Sequence, residues 1–110
     1  MAEHIPESVL AVVAEKFRLL GDQTRLALIR TLMKDGEQNV GHLVAATGRT
    51  DANVSKHLKQ MTRAGMLARR KEGLQVFYSL SDPVIEKICR LVCDSVVEDV
   101  KGQLDNPPSG

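Results

Sequence analysis

The chain has 110 residues, 43% of them apolar and 26% charged, with a formal net charge of only +1. That is enough apolar material for one modest core, expected over residues 1–102, with a disordered tail at 103–110 marked by Pro107-Pro108. No run has transmembrane length, no secretory leader pattern opens the chain, and two Cys in one helix do not make a disulfide scaffold, so the expectation is a cytoplasmic protein with no membrane partner.

The first helix is expected at about 6–20, with Val9, Val12, Val13, Phe17 and Leu20 at helical spacing. Asp22 can cap a second helix carrying Leu26, Ile29, Leu32 and Met33 and ending near Gly36. Asn39 can cap a shorter third helix with Val40, Leu43 and Val44, stopped by Gly48. Thr50 can then cap a fourth, over 51–64, with Asp51 at the positive end of its dipole and Gly65 as its left-handed stop. Taking 100° per residue, Val54, Leu58 and Met61 share one stripe and face the core, while Ala52, Lys56, Lys59 and Arg63 point the opposite way, flanked by Asn53, Ser55 and Gln60.

After this helix, residues 66–71 and 75–80 read as two strands, and Glu72-Gly73-Leu74 between them reads as a glycine turn. Arg69, Arg70 and Lys71 lead up to its tip. From Gly48 to Lys71 the chain holds seven Lys or Arg against one acid, Asp51, so charge is concentrated in an otherwise near-neutral chain. A polyanion is the implied partner. Two short helices, a tight turn at Thr47 to Thr50 and a basic hairpin have the spacing of a winged helix-turn-helix, mainly α with a small β-hairpin. Small and amide side chains at the start of the fourth helix can reach base edges, and the cations of helix and wing can reach phosphates. The residues expected to touch double-stranded DNA are Thr50, Asn53, Ser55, Lys56, His57, Lys59, Arg69, Arg70 and Lys71. His57 lies about 60° from the buried stripe on a 100° wheel, so it reads equally as a packed structural side chain and as a contact.

The last helix is expected at 83–101, with Ser81 or Asp82 as cap and Pro83 in its first turn. Its apolar face, from Val84 through Ile85, Ile88, Cys89, Val92, Cys93, Val96 and Val97 to Val100, is wider than so small a domain covers by itself, so the first and last helices are expected to pair across a twofold axis in a homodimer. Residues 82–110 carry six acids against three Lys or Arg, which makes them poor DNA surface.

The segments FRLLGDQTRLALIRTL (Phe17 to Leu32) and VGHLVAATGRTDANVSKHLKQMTRAGMLARRKEGLQVFYSL (Val40 to Leu80) resemble the ArsR/SmtB family of winged-helix repressors, a likeness covering about residues 12–100. Its specific motifs are Leu-Gly-Asp-x-Thr-Arg-Leu at 20–26, Val-Ser-Lys-His-Leu at 54–58, Ala-Gly-Met-Leu at 64–67, and the Arg-Lys-x-Gly wing closed by Phe-Tyr-x-Leu. The resemblance implies a homodimeric repressor, released from an operator by an inducer, in which Ser55, Lys56 and His57 lie on the DNA-reading helix. The metal sites of such repressors are depleted here. Asn39 and Gly41 stand where one site has thiolates, with His42 in place of an Asp. Asp82 and Glu98 match the carboxylates of the other site, but Val84 and Ser95 occupy its His positions, which leaves them weak metal candidates.

Cys89 and Cys93, one helical turn apart, are open to two readings. Thiolates at this spacing can take arsenite, copper(I) or zinc, or respond to oxidants and persulfides, so a soft metal ion is a candidate cofactor. Equally, free Cys on an apolar face is commonly inert packing. Enzymatic chemistry is not expected: three scattered His, no phosphate loop and no nucleophile beside a base. The remaining alternatives are a winged-helix protein-interaction module and a non-specific DNA-binding protein without inducer control.

Overall fold

The computed structural model describes residues 4–105. In chain order the elements are α1 (Glu7–Leu20), α2 (Gln23–Asp35), β1 (Gln38–Asn39), α3 (Val40–Thr47), α4 (Asp51–Arg63), β2 (Leu67–Glu72), β3 (Gln75–Leu80) and α5 (Pro83–Asp105). Local chemistry sets the helix starts. The side chains of Asp22, Asn39 and Thr50 accept the backbone N–H of Arg25 at 3.0 Å, His42 at 2.8 Å and Asn53 at 3.2 Å, each satisfying an amide that the first turn leaves free. Between α3 and α4 the chain reverses through Gly48 at φ 68°, a conformation that costs glycine nothing and a side-chain-bearing residue strain.

The core sits where α2, α3, α4 and the sheet converge. Leu28, Leu43, Val54, Leu58, Met61 and Met66 are all at 0% exposure, joined from the flanks by Leu19, Ile29, Leu67, Tyr78 and Ile85. The α4 stripe expected from the 3.6-residue period, Val54, Leu58 and Met61, is thus buried in full.

The sheet, the hairpin turn and the end of the last helix differ from expectation. The β structure is a three-stranded antiparallel sheet in the order β1-β3-β2, in which Gln38 and Asn39 pair with Tyr78 and Phe77. β1 has two residues, too few to carry a period-2 pattern that sequence reading can detect. The last helix continues to Asp105, so residues 103–105 of the expected tail are helical; 106–110 lie outside the described residues. At the hairpin, Glu72 pairs with Gln75, leaving Gly73 and Leu74 as a two-residue turn. Gly73 takes φ 60° at the first turn position, as a type II′ turn requires.

The chain is more extended than its length calls for. Its radius of gyration is 16.7 Å, whereas a compact chain of this size has about 13 Å. The longest element is α5, which at 1.5 Å per residue is about 34 Å long. Its first half packs on the core through Ile85 and Cys89, but every residue from Leu91 to Gln103 is exposed.

Candidate nucleic-acid interface

The outer face of α4 carries the charge expected of it. Asn53, Lys56, Lys59 and Arg63 are exposed and Ser55 is half-buried. The Ser55 hydroxyl donates to Asp51 Oδ1 at 3.4 Å, a long bond that leaves the hydroxyl free to exchange partners. Thr50 is occupied as the N-cap, so its position is fixed at the helix mouth.

The wing cations do not act as one group. Strand residues alternate between faces, so Arg69 and Lys71 lie on the Leu67 side while Arg70 lies on the other, directly paired across the strands with Phe77. The Arg70 guanidinium stacks 4.9 Å from the Phe77 ring centroid. It also donates to both Glu37 oxygens, at 2.7 to 3.2 Å, and to Glu72. Arg70 therefore presents no free charge in this conformation, and its hydrogen bonds hold the Glu37 carboxyl below the usual range. Arg49 is also engaged, donating to Thr24 Oγ1 at 3.3 Å and to the Thr47 carbonyl at 3.0 Å, where it braces the turn before α4. Lys56, Lys59 and Arg63 on the helix, with Arg69 and Lys71 on the wing, are the cations left facing solvent.

His57 is half-buried, and its Nδ1 lies 3.2 Å from Arg25 Nη1. Since a guanidinium can only donate, Nδ1 is the acceptor. Arg25 itself, 8% exposed, also donates to Gln60 Oε1 at 3.3 Å, to the Leu19 carbonyl at 2.6 Å and to the Arg18 carbonyl at 3.3 Å. Both carbonyls lie in the final turn of α1, at the negative end of its dipole, where that of Arg18 also accepts the Gly21 N–H at 3.2 Å. One buried cation thus joins the end of α1, the start of α2 and the middle of α4. Sequence reading missed it, because its partners are dispersed along the chain.

The sensing candidates are separated. Asp82 caps α5, accepting the Val84 N–H at 3.0 Å, and pairs with Lys16 Nζ at 3.0 Å. Glu98 is exposed sixteen positions further on, about 24 Å along the helix. The two cannot hold one ion within a single chain. His42 pairs with Asp35 at 2.9 Å, and among the described residues no three His, Cys, Asp or Glu side chains gather as a metal site.

Cys89 is 6% exposed and burial pushes its thiol pKa up, whereas Cys93 is exposed. Both line a cavity of about 420 Å³ between α2, the end of α3 and α5, with Leu26, Ile29, Arg30, Arg49 and Arg90. No described helix is long and apolar enough to cross a membrane.

Known proteins share both this sequence and this architecture. The sequence profile described as bacterial regulatory protein, arsR family, matches residues 22–69, from the α2 cap into β2. The HTH-type transcriptional regulator KmtR of Mycobacterium tuberculosis is 33% identical over 92 residues, which is 84% of this chain and 68% of the relative. The crystal structure of the AntR antimony-specific transcriptional repressor superposes with a TM-score of 0.80 at 26% identity, covering 88% of this chain and 87% of that one. A homodimeric winged helix-turn-helix DNA-binding domain from Mycobacterium bovis superposes with a TM-score of 0.72 at 25% identity, covering 87% and 89% of the two chains. On the strength of this sequence likeness and the shared winged helix-turn-helix architecture, the chain belongs to the arsR family of DNA-binding transcriptional regulators, whose members are not enzymes.

Proposed function

We propose that the chain is a cytoplasmic homodimeric repressor that reads an operator with α4 and is released when an inducer engages the thiols of α5. The observation that carries the DNA reading is the division of α4 into a stripe at 0% exposure and an opposite face of Lys56, Lys59 and Arg63 beside exposed Asn53 and half-buried Ser55. Arg69 and Lys71 extend that positive surface along the wing. Arg70 joins it only by leaving Glu37 and Glu72.

Pairing through the terminal helices is supported by two unpartnered apolar faces. Val9, Val12, Val13 and Phe17 on α1 are 40 to 59% exposed, and Val92, Val96, Val97 and Val100 on α5 are 49 to 58% exposed. A monomer rarely leaves so much contiguous apolar surface in water. The homodimeric Mycobacterium bovis domain has the same fold. A dimer would set two α4 helices about one DNA turn apart.

The inducer reading rests on the cavity that Cys89 and Cys93 share. A soft metal or an oxidant acting there would bear on α2 and α5 together, and so on the spacing of the reading helices, with a coupling of about 1 to 3 kcal/mol. Asp82, Glu98 and His42 support no such site in one chain.

Footprinting beside the protein's own gene would identify the operator. Lys56→Ala should weaken binding and lower the salt slope by about one, and Asn53→Ala or Ser55→Ala should alter base preference by about 1 to 3 kcal/mol. An unchanged salt slope for Lys56→Ala would refute the docking. The double substitution Cys89→Ser, Cys93→Ser should bind DNA normally yet ignore thiol reagents and soft metals; a wild type that also ignores them would refute the thiol reading.

A further inference from the structure

Arg25 is a buried cation whose partners are all neutral: two carbonyls at the end of α1, the His57 ring and the Gln60 amide oxygen, at 2.6 to 3.3 Å. A planar fork of five N–H donors can meet acceptors in several directions at once; a lysine ammonium on its flexible stem cannot reproduce that geometry. By donating to Nδ1, Arg25 selects one form of the neutral ring, the one whose proton is on Nε2. Nε2 is on the ring edge away from Arg25, and half-buried His57 follows Lys56 at the border between the buried stripe of α4 and its cation-bearing face. A half-buried ring held in this way has a donor available at a fixed place. Donors at fixed places are what position a protein on phosphate oxygens.

We propose that Arg25 is a positioning residue for DNA reading: it ties α4 to the end of α1 and holds His57 as the Nε2–H tautomer, so that the ring donates to the DNA backbone. His57 is then both of the things its place on the helix wheel suggested, packed on one edge and a contact on the other. The inference rests on α4 being the reading helix. It also gives α1 a route to that helix, since the carbonyls of Arg18 and Leu19 and the ring of His57 share one guanidinium.

The test uses the full chain and a duplex that the wild type selects from a randomised pool. Nitrogen-15 NMR of the imidazole should show His57 as a single Nε2–H form. Arg25→Lys should give a mixture of tautomers and bind the duplex about 10-fold more weakly, the worth of one hydrogen bond to a charged group. In a His57→Gln background, where the amide N–H donates whatever Arg25 does, the same change should cost less than about 3-fold. An Nδ1–H ring in the wild type would overturn the proposal, and so would equal losses in the two backgrounds. Thermal melting of each variant checks folding; if Arg25→Lys does not fold, the wild-type ring spectrum decides alone. Lys56→Ala separates the two levels of inference: undiminished binding there removes α4 as the reading helix and the proposal with it, whereas weakened binding there with equal losses at Arg25 removes only the Arg25 role.

Discussion

The two halves of α5 have similar sequences and opposite surroundings. In the first, Ile85 at 2% and Cys89 at 6% exposure are absorbed into the core of their own chain. In the second, Val92 and Val96 continue the same stripe, yet are 58% and 53% exposed. One amphipathic pattern is thus covered by its own chain in the first half and left open in the second, where the proposed dimer would cover it. Periodicity reports that a face is to be buried; only the length of the rest of the fold determines against what.

The strongest way to break this comparison is to charge the far half. Val92→Glu or Val96→Glu should yield monomers in sedimentation, because a buried unpaired carboxylate costs several kcal/mol. DNA affinity should drop by about a thousandfold, the lower end of the gap between specific and non-specific binding. A dimer that survives both changes would place the interface elsewhere. In the near half, Ile85→Ala should cost about 2 to 5 kcal/mol of folding stability by leaving a cavity. Val96→Ala, at a position 53% exposed, should stay within about 0.5 kcal/mol in the monomeric Val92→Glu background. Equal costs in urea titrations would erase the distinction between the halves.

The thiols sharpen it further, because they straddle the boundary. Cys93 should alkylate at least about 10-fold faster than Cys89, whose burial both shields the sulfur and disfavours the thiolate. Peptide mass spectrometry after a short iodoacetamide pulse reads the ratio directly. The smallest effect concerns the root of α5, where the Lys16 ion pair, aided by the amides of Val84 and Ile85, holds the Asp82 carboxyl below its ordinary range. A carboxylate depressed in the folded state adds stability that is complete above the ordinary value near 4 and is lost as pH falls through the folded value. Asp82→Asn should therefore flatten the stability profile below about pH 4 by less than about 1 kcal/mol, since water reaches Lys16 and screens the pair. An unchanged acid limb would show that α5 is not anchored there.

What could be read in advance was what local chemistry dictates. Asp22, Asn39 and Thr50 cap the helices they were expected to cap, because a cap needs only a side-chain oxygen and an amide three residues on. The α4 stripe was equally legible. Arg25 was not, since its acceptors lie at positions 18, 19, 57 and 60 and meet only after three helices pack. The engagement of Arg70 is hidden from the sequence because Glu37 is 33 positions upstream, and β1, which carries the chain back to the sheet just after it, is too short to see. The split of Arg69 and Lys71 from Arg70 was in principle visible, since period-2 alternation demands it.

The strict division of α4 also bears on how such a regulator diversifies. Val54, Leu58 and Met61 answer only to the core, whereas Asn53, Lys56, Lys59 and Arg63 contribute nothing to it. On the docking proposed above, substitution on the outer register would change which duplex is preferred at little cost in folding, and substitution on the inner register would do the reverse. After gene duplication, a copy can acquire a new target by drift on a handful of solvent-facing positions while keeping its scaffold intact.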